Sequence, residues 1–240
     1  MYLGLNLFIK FTRIRMNEIM TVSDLLSDVV PAIHKTDTGT DALNWMDVFK
    51  VSHLPVVDGG EYLGLVSERE IYDMHNPDEA ISSQIVVMER PFVYDNQHII
   101  EAMQPLAENN LSVLPVLDVE DKYLGVITLP DLSHEIANMV SSSARGAIVT
   151  LEIRIRDYSL SEISQIVEGN DTKIMSLYVN AGSNPDILFV TLKLNRTDIT
   201  PVIQTFERYN YKIVQVFSND KDYDMLLEDR YNSFMKFLSI

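Results

Sequence analysis

His53-Leu54-Pro55-Val56-Val57-Asp58 leads, across Gly59-Gly60-Glu61, into Tyr62-Leu63-Gly64-Leu65-Val66-Ser67. The same passage returns as Val113-Leu114-Pro115-Val116-Leu117-Asp118 and Tyr123-Leu124-Gly125-Val126-Ile127-Thr128. Upstream, Asp41-Ala42 recurs as Glu101-Ala102, so the period is about 60 residues. The offset slips by one residue only in the turn, where Asp58-Gly59-Gly60-Glu61 faces Asp118-Val119-Glu120-Asp121-Lys122. Slippage confined to a turn is what duplication of a folded unit leaves, because loops accept insertions that core strands reject. Two copies of one small unit predict a paired, pseudo-two-fold body with matching clefts, a build suited to binding.

Each copy has the same local reading. Thr40 to Lys50 carries Ala42, Trp45, Met46 and Phe49 at the spacing of an amphipathic helix, ahead of two β-rich runs. Ser67-Glu68-Arg69-Glu70 then forms a capping box that opens a further helix. In the second copy Ile99, Ala102, Met103 and Leu106 make the matching stripe, and Thr128-Leu129-Pro130-Asp131 the matching box. Pro105 stands where Trp45 does. Within a helix it costs about 3 kcal/mol or a kink, so that helix is expected to be bent or shifted.

After Ser141-Ser142-Ser143-Ala144-Arg145-Gly146 the pattern changes. Val149, Leu151, Ile153 and Ile155 alternate with polar residues, a half-buried strand. Ser159 and Glu162 read as a capping box for a helix bearing Leu160, Ile163, Ile166 and Val167. A hairpin over 174–194, a helix from Thr200-Pro201 and a strand over 212–217 complete a βαββαβ order, the ferredoxin-like unit. Tyr223, Leu227, Tyr231, Phe234 and Leu238 then fall on one face of a C-terminal helix. The fold class is therefore α/β (α+β). Its divisions are an N-terminal extension over 1–19, repeat 1 over 20–80, repeat 2 over 81–140, a linker over 141–146, the βαββαβ domain over 147–218 and a C-terminal helix over 219–240.

Composition narrows the function. The chain of 240 residues has a formal net charge of −16 and no cysteine. The charge opposes broad binding to nucleic-acid backbones, whose affinity rests on many neutralised phosphates. The lack of cysteine removes thiolate metal sites and cysteine nucleophiles. No apolar run reaches the ~20 residues of a membrane span, so neither nucleic acid nor membrane is an expected partner and the chain is expected to be cytoplasmic. The apolar, basic stretch Met1 to Arg15 reads as a start placed too early, with Met16 or Met20 as the true beginning. His34, His53, His75, His98 and His134 show no metal-binding spacing, and no P-loop, G-x-S-x-G elbow or dinucleotide fingerprint occurs, so no enzyme or metal site is expected.

From Met20 to Val140 the duplicated hydrophobic-Pro-Val-hydrophobic-Asp, turn, Gly-hydrophobic-hydrophobic-Ser/Thr and following acid resemble a tandem pair of cystathionine-β-synthase (CBS) domains. That resemblance implies a Bateman module whose clefts often bind adenosine nucleotides or S-adenosylmethionine. Carried onto this chain, Asp131 would take the ribose hydroxyls and Thr128, with the helix start, the phosphate. Arg90, Pro91 and Phe92 would line the cleft with Leu114 and Pro115, Phe92 packing on adenine and Arg90 supplying charge. The first cleft would be lined by Pro31, Ala32, His53, Pro55, Ser67 and Glu70, with glutamate in place of the family's aspartate. Both signatures also read as plain helix caps, which need no ligand. Net charge −16 opposes a polyphosphate unless Mg²⁺ comes with it.

Gly146 to Phe217 resembles an ACT domain, in element order and in Arg156-Asp157 after the first strand. The glycine usual in that family's first βα loop is missing from Asp157 to Ser161, which points to interface-building rather than amino-acid binding. The combined order is similar to acetoin-utilisation-type regulatory proteins. The expectation is a non-catalytic, homodimeric sensor of an adenosine-containing ligand that acts on a regulated protein. A ligand-free docking and oligomerisation scaffold is the alternative.

Overall fold

The computed structural model describes residues 20–84, 88–140 and 145–218. The expected N-terminal extension, the C-terminal helix over 219–240 and most of the linker lie outside them. The chain forms two compact units that divide between His134 and Glu135.

The first unit opens with a 3-10 turn, Val22–Leu25, and helix α1, Gly39–Phe49. Strands β1 (His53–Asp58) and β2 (Glu61–Ser67) and helices α2 (Glu68–Tyr72) and α3 (Ile81–Gln84) follow. The second copy supplies β3 (Val93–Tyr94), α4 (Ile99–Glu108), β4 (Val113–Leu117), β5 (Tyr123–Thr128) and α5 (Leu129–Met139). β1 and β2 pair antiparallel, as do β4 and β5, and both hairpins carry the same irregularity, at Val56/Val57 and at Val116/Leu117. A bulge repeated at the same place in both copies is the backbone signature of the duplication.

The leading segments of the two repeats are exchanged. Ser27 pairs with Val126 of β5, its amide donating at 2.8 Å and its carbonyl accepting at 3.1 Å, and the Val22 amide donates to Gln97 at 2.9 Å. Reciprocally, the Leu65 amide of β2 donates to Glu89 at 2.9 Å and the Ile81 amide donates to Asp37 at 2.9 Å. The approach needs glycine on each receiving strand. A Cβ on Gly125 would lie 2.8 Å from the Ser27 carbonyl oxygen, and one on Gly64 would collide with Met88. The core is shared accordingly: Val113 and Val126 pack in one cluster with Leu54, Val56, Val66 and Ile71.

One helix reading needs correction. Of the first stripe, Ala42 and Met46 are buried, while Trp45 is 44% exposed and stacks on Phe49 with centroids 6.0 Å apart. α4 begins at the repeat position that matches α1, so it is not shifted, and it runs on through Pro105.

The second unit takes in the end of α5 from Glu135 and contains β6 (Ile148–Arg154), α6 (Leu160–Glu168), β7 (Ile174–Ala181), β8 (Ile187–Leu194), α7 (Thr200–Arg208) and β9 (Lys212–Phe217). The sheet order is β7-β8-β6-β9, antiparallel throughout, which is the ferredoxin-like arrangement. Val149, Leu151 and Ile153 of β6 join Val190, Leu192 and Leu194 of β8 under Ile163, Ile166 and Phe206 of the helices. Ser159 caps α6 by accepting from the Glu162 amide at 3.3 Å, but the box stays half-made. The Glu162 carboxylate accepts instead from the Tyr211 hydroxyl at 2.6 Å.

Candidate functional site

The register assembles the second cleft. Val93 lies beside Val116 in parallel, and Val113 is opposite Thr128, with β4 between β3 and β5. Residues 90–92, the start of β4, and the end of β5 with the start of α5 therefore share one end of the three-stranded sheet. Asp131 is exposed, and its Oδ2 accepts from the Thr128 hydroxyl at 2.6 Å. Thr128 Oγ1 in turn accepts from the Asp131 amide at 3.2 Å, so the pair caps an eleven-residue helix. Leu114 and Pro115 are buried in the strand, which leaves their backbone as what they can offer a ligand.

Arg90 is exposed, and one of its five donors is committed: Nη2 bonds the Tyr62 carbonyl at 2.7 Å, with the guanidinium 5.7 Å from the Tyr62 ring centre. The Tyr62 hydroxyl donates to the Pro91 carbonyl at 3.0 Å. Burial holds the Tyr62 hydroxyl well above the usual tyrosine range, with Arg90 pulling the other way. Phe92 packs edge-on to Tyr94 with centroids 5.2 Å apart, and is half-buried.

In the first cleft the bridge between Ile33 and Val56 brings Pro31 and Ala32 to the end of the sheet where His53 faces Ser67. Glu70 is taken up by its cap. Its Oε2 accepts from the Ser67 amide and the Ser67 hydroxyl, both at 2.7 Å. α2 has only five residues. His53 turns toward the second repeat: Nδ1 accepts from the Ser112 amide at 3.3 Å and lies 3.2 Å from Ser112 Oγ and 3.1 Å from Ser52 Oγ. Burial lowers the His53 pKa, and the Glu70 charge opposes this weakly. The first cleft thus joins the repeats at the residues expected to face a ligand. Among the described residues no group of three or more His, Asp and Glu is placed to hold a metal.

Sequence reasoning missed Ser52, Ser112 and Tyr62. The first two were visible as a pair at the repeat spacing, Ser52-His53-Leu54 and Ser112-Val113-Leu114.

The family model for the CBS domain matches residues 22–74 and 82–138. These residues are a CBS-domain pair. Over 111 residues the chain is 28% identical to an inosine-5'-monophosphate dehydrogenase from Methanocaldococcus jannaschii, a match that takes in 45% of this chain and 22% of that enzyme. It is 25% identical over 138 residues to the CBS domain-containing protein YhcV of Bacillus subtilis, covering 54% of this chain and 93% of YhcV. A CBS domain pair/ACT domain protein of Thermotoga maritima superposes with a TM-score of 0.46 at 22% identity, over 50% of this chain and 98% of its own. The chain thus spans under a quarter of the length of the dehydrogenase. No helix of the described residues is long and apolar enough to cross a membrane.

Proposed function

We propose that the CBS pair is a sensor for an adenosine-containing ligand, AMP, ADP, ATP or S-adenosylmethionine, held in the second cleft. The observation that carries the reading is the exposed Asp131 carboxylate beside Thr128, at the start of α5 and at the same sheet end as residues 90–92. A carboxylate there accepts from two ribose hydroxyls, and the first amides of the helix face a phosphate. Phe92 supplies a ring for the base. Magnesium would arrive on the ligand's phosphates, since the described residues offer no cluster of their own to hold it. The first cleft is structural in this reading, because His53 is engaged by Ser112 and Glu70 accepts from both the amide and the hydroxyl of Ser67, where Asp131 accepts from the Thr128 hydroxyl.

The ligand acts by population shift: it favours whichever arrangement of the pair, or of two chains, binds it better. The βαββαβ unit serves as an ACT-like dimerisation module, and the signal passes to a regulated protein. Self-capping of both signatures favours a second reading, a ligand-free docking and oligomerisation scaffold.

Calorimetric titration with AMP, ADP, ATP and S-adenosylmethionine, with and without Mg²⁺, separates the two. One saturable site per chain, lost in Asp131→Ala with the thermal transition retained, is expected of the sensor. Absence of heat with every ligand from folded protein would establish the scaffold.

A further inference from the structure

Among the described residues α6 and α7 cover one face of the second unit's sheet, while on the other the Ser176 hydroxyl of edge strand β7 donates to the Val140 carbonyl at 3.0 Å and the middle of the sheet carries no helix. Alternation along the strands turns Val149, Leu151 and Ile153 to the helices and Ile148, Thr150, Glu152 and Arg154 away from them. On the face turned from the helices Ile148, Tyr178, Phe189, Val214 and Phe217 surround a hollow of about 510 Å³. Tyr178 is 45%, Val214 37% and Phe217 58% exposed. The floor is a hydroxyl pair, Thr150 Oγ1 to Thr191 Oγ1 at 3.1 Å, both residues buried. Aromatic side chains this accessible on a sheet face mark a surface that another layer covers.

We infer that residues 219–240 of the same chain form that layer. The tail begins two residues after Phe217, which is itself part of the hollow, so its local concentration at the face is high whatever the protein concentration. Its Tyr223, Leu227, Tyr231, Phe234 and Leu238 recur at helical spacing. As a helix, 22 residues reach about 33 Å, enough to cross four strands, about 19 Å at 4.8 Å each. Charge also selects the tail over a second copy of the face. The side away from the helices carries Arg154 and Lys193 beside the ion-paired Glu152 and Lys212, whereas the tail carries Asp220, Asp222, Asp224, Glu228 and Asp229 against Lys221, Arg230 and Lys236. Two such faces together would set like charges against each other.

The test uses the absence of native cysteine. Asn180→Cys, on the hollow's lining, is labelled with bimane in the full chain, with and without Tyr231→Trp. Contact quenching by the new tryptophan is expected, equal at all protein concentrations and lost on adding Leu227→Asp with Phe234→Asp. Equal fluorescence with and without the tryptophan, or quenching that grows with concentration and so reports a second copy, would overturn the inference. Should the labelled variant misfold, the unsubstituted chain ending at Ser218 is compared with the full chain for binding of an anilinonaphthalene sulfonate dye. Several-fold more dye on the shortened chain is expected, and equal dye overturns the assignment.

Discussion

At His53 one proton decides between two sets of bonds. The Ser112 amide can only donate, so the Nδ1 it reaches at 3.3 Å must be unprotonated. Protonation would set two N–H groups against each other in a half-buried place where burial already disfavours the cation. The folded-state pKa therefore lies below the unfolded value of about 6.5, and the unfolded chain takes up the proton first. The stability contributed by neutral His53 is present above the unfolded pKa and is lost as pH falls from there through the folded pKa. Glu70 is the ionised group that bears on the ring, and it offsets part of the shift. Denaturant midpoints measured between pH 7.5 and pH 5 should fall more steeply for the native chain than for His53→Gln, about as steeply if the ring is not held this way. The residue was legible as the odd member of its repeat, histidine where the second copy has Val113. Its partner was not, because Ser112 lies 59 positions away and only the pairing of the two repeats brings it close.

Among the elements, α4 tests how much strain a duplicated helix absorbs. Pro105 has no amide to give the Glu101 carbonyl, yet the helix spans Ile99–Glu108, and the Asn109 side chain donates to the Pro105 carbonyl at 2.9 Å near its end. Burial of Ile99, Ala102 and Leu106 supplies the packing that overrides the local cost. Pro105→Ala should restore the missing bond and raise stability by about 1–3 kcal/mol, read as a higher urea midpoint at unchanged slope. The opposite sign is expected at the exchanged segments. Gly125→Ala places a methyl 2.8 Å from the Ser27 carbonyl oxygen and 3.0 Å from Leu26, so the segment must lift off β5. A loss of about 1–3 kcal/mol follows, with faster hydrogen exchange at the Ser27 and Val126 amides. Strands, caps and helices were legible because period and capping are local signals. The exchange of leading segments was hidden, since it joins residues of different repeats, Ser27 to Val126 and Leu65 to Glu89, and leaves only the two glycines as a trace. The half-made cap at Ser159 was hidden for the same reason: Tyr211, 49 positions on, competes for Glu162.

If the second cleft takes an anionic nucleotide as proposed, the governing quantity for the whole molecule is the net charge of −16. The repulsion reaches a Debye length, about 30 Å at 0.01 M salt and about 8 Å at 0.15 M. The attraction proposed for the α5 amides and Arg90 would act over a few ångströms and be screened much less. Salt therefore removes the long-range penalty before the short-range gain, and ATP affinity should rise from 0.01 M to 0.15 M, the reverse of ordinary phosphate binding. AMP, with fewer charges, should change less, and Mg²⁺ should help ATP most at low salt, where it substitutes for screening. Calorimetric titrations at the two salt concentrations read this directly. An affinity that falls with salt would mean that the field at the cleft is positive in spite of the chain's sign, so that Arg90 and the helix start outweigh the rest of the molecule there. Arg90→Gln would then reverse the slope, because it removes a fixed cation close to where the phosphates would lie.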